Sequence, residues 1–145
     1  MRIVYLIEPR VQLSVSAWNG AVTGEEWRAS LKRLLEDPSF GSVTRHLADL
    51  RLADLGSTID EAEIRDTVDF LAPYAKLLAG RRAAILAGKE FAKAGIFEQL
   101  IARYSLTVVA FTFLDVACTW LGIEVGEAQP LLDKLRAQLV PDGPD

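Results

Sequence analysis

Four polar residues with complementary chemistry lie close together in the sequence, where a predicted strand is followed by a predicted helix. They are Asp49, Arg51, Ser57 and Thr58, which supply a carboxylate, a guanidinium and two hydroxyls. In open α/β sheets, ligands bind outside the carboxyl ends of the strands, where such loops are found. Asp49 and Arg51 are two residues apart, so a continuous strand directs both side chains to one face. The stretch 43–63 is therefore the first candidate for a functional site.

The two hydroxyl residues, Ser57 and Thr58, and the two charged residues, Asp49 and Arg51, each have a functional and a structural interpretation. At a helix N-terminus, Ser57 or Thr58 is either an anion-contacting group or phosphoacceptor, with Ser57 the candidate phosphoacceptor, or simply the helix N-cap. The acidic residues of 60–66 disfavour an added phosphate, so we expect capping. Asp49 and Arg51 either orient a ligand or form a structural ion pair. We favour the ion pair, because such a pair helps to specify strand register.

The remaining reactive side chains predict neither a metal site nor a catalytic centre. His46 is the only histidine and Cys118 the only cysteine, which is too few for a transition-metal site. The sequence has no G-x-S-x-G nucleophile elbow and no G-x-G-x-x-G or G-x-x-x-x-G-K-[ST] phosphate loop. We therefore expect a half-exposed strand histidine, a buried inert thiol, no cofactor and no enzymatic activity.

Trp18 differs from the other tryptophans in its predicted setting. Residues 11–17 alternate apolar and polar side chains, a pattern typical of a strand with one face toward water. Trp18 falls on the polar side of that strand, together with Gln12, Ser14 and Ser16. A large aromatic side chain on such a face indicates a partner surface, a dimer contact or the wall of a pocket.

Composition places the chain among globular proteins. Its 145 residues are the size of one domain, and 50% are hydrophobic and 25% charged. The net charge of -4 argues against a nucleic-acid partner, because nucleic-acid binders normally carry a basic patch. No segment reaches the ~20 apolar residues of a membrane-spanning helix. A single cysteine fits a reducing compartment, so we expect a cytoplasmic protein.

Apolar periodicity predicts five strands and five helices. The predicted strands cover 2–7, 11–17, 43–50, 82–87 and 106–113. The predicted helices begin at the capping box formed by Thr23 and Glu26, at Thr58 or Asp60 (running to Gly80), and near residues 91, 115 and 126, the last running to Val140. Strands that alternate with helices after an opening hairpin predict an α/β fold with a mixed, largely parallel five-stranded sheet covered by helices.

Three short motifs occur in order along the chain. Residues 47–51 read LADLR, residues 80–85 read GRRAAI, and an apolar strand in 108–121 is followed by a closing Ala-x-x-Trp-Leu. Together they resemble the third, fourth and last strands of the SpoIIAA-like branch of the STAS superfamily, which includes anti-sigma-factor antagonists. The resemblance implies a STAS-like domain over 1–122. It leaves 123–145 as a C-terminal helical extension with a frayed end, which either covers an apolar surface or exchanges between protomers.

The resemblance also implies a function. Anti-sigma-factor antagonists carry an Asp-Ser-Ser-Gly signature with a regulatory phosphoserine, whereas residues 54–58 here read Asp-Leu-Gly-Ser-Thr. The family implies a non-enzymatic regulatory or protein-interaction module, with a protein partner bound at the strand-three loop and the second helix N-terminus. The position of Trp18 adds the expectation of a homodimer in which this residue makes a contact. The alternative is a binding protein for a small apolar or lipid-like ligand. A closed apolar pocket would favour that alternative, and a fully packed core would exclude it.

Overall fold

Five strands form one sheet in the computed structural model, which describes residues 2–139. In chain order, which is also the order across the sheet, they are β1 (Ile3–Glu8), β2 (Leu13–Gly20), β3 (Arg45–Ala53), β4 (Arg82–Leu86) and β5 (Thr107–Phe111). The first pair is antiparallel and every other neighbouring pair is parallel. The predicted α/β fold with a mixed, largely parallel sheet is confirmed.

The helices between the strands follow the predicted order. They are α1 (Gly24–Leu35), α2 (Glu61–Phe70), α3 (Ala75–Leu78), α4 (Phe91–Ile101), α5 (Leu114–Leu121) and α6 (Val125–Gln138). The predicted capping box is present, because the Thr23 hydroxyl accepts from the Glu26 N–H at 3.1 Å and the Glu26 carboxylate accepts from the Thr23 N–H at 2.9 Å. The helix predicted to run to Gly80 is instead divided into α2 and α3 at a 3₁₀ turn containing Pro73, which cannot donate a helical hydrogen bond. Within residues 2–139, none of the helices is long and apolar enough to cross a membrane.

The helices divide between the two faces of the sheet for a topological reason. Each parallel crossover moves to the next strand in the same direction, and right-handed crossovers then place all connecting helices on one side. Buried residues of α1, α2 and α4 accordingly form one core cluster with the sheet, on what we call the first face. Buried residues of α5 and α6 form a separate cluster on the opposite side, the second face.

On the second face, α6 packs directly on the sheet. Its inward side chains Leu132 and Leu135 are fully buried in the same cluster as strand residues of β1 to β4. Of the two roles expected for this helix, covering an apolar surface of its own chain is therefore the one observed. The helix begins at Val125, and Pro130 lies in its second turn.

Two arginines fix α5 at the amino ends of the central strands. Arg45 of β3 donates to the carbonyl oxygens of Leu121 and Gly122 at 3.1 and 3.0 Å, and Arg82 of β4 donates to that of Trp120 at 2.9 Å. Cations are favourable at a helix C-terminus, where backbone carbonyls lack partners within the helix. These contacts anchor the second-face helix layer to the sheet.

The prediction that one side of β2 faces water is wrong. Ser14 and Trp18 are 3% and 7% exposed, and Ser16 is only partly accessible. The helices of the first face cover this side. The alternation of apolar and polar residues in β2 therefore reflects two faces that are both covered by helices but differ in polarity. The polar residues of β2 therefore lie inside the protein, where they need another explanation.

Candidate functional site

A cavity of about 150 Å³, partly open to solvent, lies on the first face between the sheet and helices α1 to α4. All five strands contribute to its floor or ends, and the helices and the loop between β3 and α2 form its roof. Close-packed protein interiors contain few voids larger than a water molecule. The core of the first face is therefore not fully packed, which was the condition that would have excluded a ligand-binding protein.

Small side chains on adjacent strands make the floor of this cavity. The strand register places Ser14 beside His46 and His46 beside Ala83, and it places Ser16 beside Ala48 in the next row. All five residues line the cavity. Although Ala48 and Ala83 lie within the sheet beneath a helix layer, both are only partly buried, because the cavity gives access to them. Short side chains where a core would normally carry larger ones leave the space open.

Aromatic residues form one wall. The Trp18 and Trp27 rings meet edge to face with centroids 5.8 Å apart, and Trp27 meets Phe97 in the same manner at 5.3 Å. These residues join β2, α1 and α4, and all three line the cavity. Of the three predicted settings for Trp18, the structure shows the pocket wall. Its 7% exposure rules out a surface dimer contact through this residue.

The polar part of the cavity is centred on His46. Its Nδ1 lies 2.6 Å from the Ser14 hydroxyl, and its ring stacks on Phe40 with centroids 5.4 Å apart. The Arg81 guanidinium lies 4.2 Å from the centroid of the same Phe40 ring. Burial, followed by the positive charge of Arg81, lowers the pKa of His46 from 6.5 to about 3. The imidazole is therefore neutral at physiological pH.

The other nitrogen of His46 has no partner. Nε2 is buried and makes no hydrogen bond within residues 2–139. Buried polar groups in proteins are nearly always hydrogen-bonded, so an exception needs an explanation. The same is true of three other side-chain atoms in the described chain, on Arg45, Thr58 and Arg81, but none of these residues lines the cavity.

The loop between β3 and α2 covers part of the cavity and is held from α4. Leu55 and Ile59 line the cavity, and the Lys93 ammonium donates to the carbonyl oxygens of both, at 2.5 Å each. The buried Glu90 carboxylate accepts from the Leu55 N–H at 2.9 Å. Two charged side chains thus bind the backbone of this loop, which fixes the roof over the cavity.

The two hydroxyls singled out in this loop do not cap the helix. Asp60 is the N-cap of α2, and its carboxylate accepts from the Glu63 N–H at 2.9 Å. The expectation that Ser57 or Thr58 is the cap is therefore wrong, and of the two predicted starts of this helix, Thr58 and Asp60, the structure has the one at Asp60. Ser57 is exposed and Thr58 is partly buried. Phosphorylation of Ser57 stays a prediction.

Asp49 and Arg51 lie on the second face, away from the cavity, and form the expected ion pair. The Arg51 guanidinium donates to both carboxylate oxygens of Asp49, at 3.0 and 2.9 Å, and Arg136 of α6 donates to Oδ2 at 2.6 Å. Burial raises the pKa of Asp49, but hydrogen bonds from Arg51 and the charges of both arginines outweigh it and lower the pKa overall. The pair is structural, and it ties α6 to β3.

Comparison with known proteins assigns the chain to no family. No protein-family model matches the chain, and neither does any curated protein. The resemblance to the SpoIIAA-like family stays a prediction from the sequence. Within residues 2–139, no three His, Cys, Asp or Glu side chains are grouped so that they could hold a metal ion.

The sequence indicated part of this site and missed its centre. Trp18 was identified, but as one of three alternatives, and His46 was assigned no function. The missed signal was the row of small and polar residues, Ser14, Ser16, Ala48 and Ala83, on three adjacent strands. Such a row is visible only once the register of three strands is known.

Proposed function

We propose that the protein binds a small, predominantly apolar ligand in the cavity of the first face. The observation that carries this proposal is the cavity itself, about 150 Å³ in volume and lined mainly by aliphatic and aromatic side chains. Small-molecule sites are typically concave, largely apolar and preformed, with a few polar groups. An apolar cavity of about 150 Å³ is known to hold benzene. A molecule of about one ring fits this description.

The energetic cost of the cavity supports a function for it. A sealed, empty cavity of this volume would cost about 3 to 4 kcal/mol, at about 24 cal/mol per Å³, and this figure is an upper limit here because the cavity is partly open to solvent. That is a large part of the 5–15 kcal/mol by which a native domain is typically stable. Exchanging one floor alanine for a larger aliphatic residue would recover some of it. A ligand that fills the space supplies the same contacts when it binds.

Binding is tested by thermal shift and calorimetry with benzene and toluene. We expect both to raise the Tm in a concentration-dependent way, since a ligand that binds only the folded state stabilises it. The Ala48→Leu variant places a larger side chain on the cavity floor and should lose the shift. Ala62→Leu on the exposed side of α2 makes the same substitution outside the cavity and should keep it. Absence of any shift in the unaltered protein would overturn the proposal.

A second candidate function is protein binding, as the resemblance implies. Leu52 and Phe113 are 52% and 65% exposed, and Phe91 and Val116 are also exposed. These residues lie in or just after β3, β4 and β5 at their carboxyl ends, which meet at one edge of a parallel sheet. Such a concentration of exposed apolar residues is typical of an interaction surface.

Sedimentation velocity tests the simplest form of this second function, which is self-association. We expect a dimer at micromolar concentration that the double variant Phe113→Ser, Val116→Ser converts to a monomer. Val125→Ser changes another exposed apolar residue outside this edge and should have no effect. A monomer at all concentrations would contradict the self-association form.

A further inference from the structure

We propose that Ser16 and Ser30 together bind one oxygen-bearing group of the ligand, while the apolar part of the ligand packs beside Trp18 and Trp27. The class of ligand is a molecule of about one ring that carries a hydroxyl or a carboxyl substituent. This inference rests on the proposed function, since it names the ligand class for the same cavity and the residues that recognise it.

The two serines lie next to the two tryptophans, and all four residues line the cavity. Ser16 precedes Trp18 by two residues on one face of β2, and Ser30 follows Trp27 by three residues on one side of α1. Because β2 and β3 are parallel, α1 runs back along the sheet, antiparallel to β2. The indole rings of Trp18 and Trp27 are in contact, with centroids 5.8 Å apart. From that contact, Ser16 is displaced by roughly 7 Å along the strand and Ser30 by about 4.5 Å along the helix, in the same direction. The two serines therefore lie at about the same level of the cavity, one on its floor and one on its roof.

The hydroxyl groups of both serines are open to the cavity. Neither makes a hydrogen bond within residues 2–139, and neither is among the fully buried side-chain atoms that lack a partner. Each hydroxyl therefore has surface that a water molecule can reach. Ser16 lies in the middle of β2 beneath the helices of the first face, and Ser30 is only 7% exposed, so this surface faces the cavity. Ser14, the third serine that lines the cavity, is different because its hydroxyl is bonded to Nδ1 of His46.

Local structure does not explain the two hydroxyls. A hydroxyl inside a helix commonly donates to the carbonyl oxygen four residues earlier, as that of Thr67 does to Glu63 at 3.0 Å. Ser30 makes no such bond, and serine is a poorer helix former than alanine. Ser16 lies between Tyr5 and Ala48 in the strand register and bonds to neither. Because neither hydroxyl stabilises the fold by a hydrogen bond, both are available to a ligand.

The two hydroxyls favour a ligand with an oxygen-bearing group over a purely apolar one. The cavity is partly open, so water reaches the serines and a ligand displaces it on binding. A ligand that displaces ordered water without replacing its hydrogen bonds loses affinity. A hydroxyl or carboxyl oxygen accepts hydrogen bonds from serine hydroxyls and so replaces that water. The opening to solvent admits a neutral or an ionised group at this position.

Toluene, benzyl alcohol and benzoate share one carbon skeleton and are matched probes, measured by calorimetry. Without a partner in the cavity, the oxygen-bearing group would weaken binding relative to toluene by about 10-fold or more. We expect benzyl alcohol, benzoate or both to bind the unaltered protein at least as tightly as toluene. Ser16→Ala and Ser30→Ala remove only a hydroxyl, and each should weaken the oxygen-bearing probe by about 5-fold while toluene stays within about 2-fold.

Two controls separate recognition from folding. Neither serine hydroxyl is bonded to the protein, so both alanine variants should unfold at a Tm no lower than that of the unaltered protein. Ser39→Ala changes an exposed serine outside the cavity and should leave all three affinities unchanged.

The outcomes distinguish this inference from the proposed function. Tighter binding of benzyl alcohol identifies a neutral group and tighter binding of benzoate an ionised one, and either supports the inference if the double variant Ser16→Ala, Ser30→Ala weakens it by about 10-fold or more. If both oxygen-bearing probes bind more weakly than toluene, or bind the double variant as well as the unaltered protein, the inference is overturned and the proposed function stands. If none of the three probes binds, the proposed function itself is overturned.

Discussion

The two faces of the sheet use similarly small strand residues and fill the space above them differently. On the second face, Ala17 and Ala84 are essentially inaccessible, and the fully buried leucines of α5 and α6 pack in the same cluster. On the first face, Ala48 and Ala83 stay partly accessible beneath a cavity of about 150 Å³. Small strand residues by themselves do not create a pocket. The outcome depends on whether a helix can approach closely enough to fill the space they leave.

The helices of the two faces differ in what holds them. On the second face, Arg136 of α6 binds Asp49 of β3 and so holds the helix against the sheet. The inward side chains of α6 are all aliphatic. On the first face, the large rings of Trp18, Trp27 and Phe97 stand between the sheet, α1 and α4. These rings line one end of the cavity, and the small residues of β2, β3 and β4 line its floor.

The largest expected difference is between leucines that pack on the two faces. Leu135→Ala on α6 removes a fully buried side chain from a closely packed cluster and should lower the free energy of unfolding by about 4 kcal/mol. Leu34 of α1 lines the cavity and is only partly buried, so its side chain makes fewer contacts. Leu34→Ala should cost only about 2 kcal/mol. Urea denaturation measures both, and equal losses would contradict the contrast between the faces.

A smaller effect is expected at the ion pair that anchors α6. Asp49→Asn leaves Arg51 and Arg136 without their carboxylate and should cost about 2 to 3 kcal/mol, below the full value for a buried pair because both arginines are one-third exposed. Asp69→Asn removes the partner of Arg103 at the surface and should change stability by less than about 0.5 kcal/mol. Because the pKa of Asp49 is lowered in the folded protein, its contribution is complete above about pH 4 and is lost as the pH falls further. If Asp49→Asn lowers the free energy of unfolding no more than Asp69→Asn does, the ion pair of Asp49 does not anchor α6.

Matched alanine-to-leucine changes should have opposite signs on the two faces. Ala84→Leu inserts three carbons into a filled cluster and should destabilise the protein by about 1 to 3 kcal/mol. Ala48→Leu places the same atoms in the cavity and should stabilise it by about 1 kcal/mol. Thermal unfolding of both variants in the absence of ligand provides the measurement. A loss of stability in Ala48→Leu would show that the cavity floor cannot accept a larger side chain.

The fold was predictable because its signals are local. Period-two and continuous apolar runs located the strands, and the capping box at Thr23 located the start of α1 to the residue. The errors occurred where distant contacts override a local pattern. Alternation in β2 was interpreted as a water-facing side, but α1 and α4 cover it. Asp60 replaced Ser57 and Thr58 as the cap, because all three residue types can cap and only the backbone geometry decides among them.

The candidate site was less predictable than the fold. The expected ion pair of Asp49 and Arg51 is present because two residues on one strand face must lie together. A cavity has no such local signal, since it is produced by residues of all five strands and four helices. The unpartnered Nε2 of His46 is equally invisible in the sequence, because it depends on which groups the fold brings within hydrogen-bonding distance.

The last prediction concerns His46 and the pH dependence of stability. Its pKa is lowered in the folded protein to about 3, so the unfolded chain takes up a proton as the pH falls below about 6.5 and the folded protein does not. Stability is therefore fully present above pH 6.5 and declines toward pH 3. Between pH 7 and pH 5 we expect a loss of about 1 to 2 kcal/mol, measured by urea denaturation. His46→Gln cannot take up this proton, and its stability should be nearly constant over the same interval. The interval lies above the range in which Asp49 titrates, so it isolates the first face. If the stability of the unaltered protein does not change between pH 7 and pH 5, the imidazole of His46 is in contact with water in the folded protein. The cavity would then be hydrated, unlike the closely packed second face.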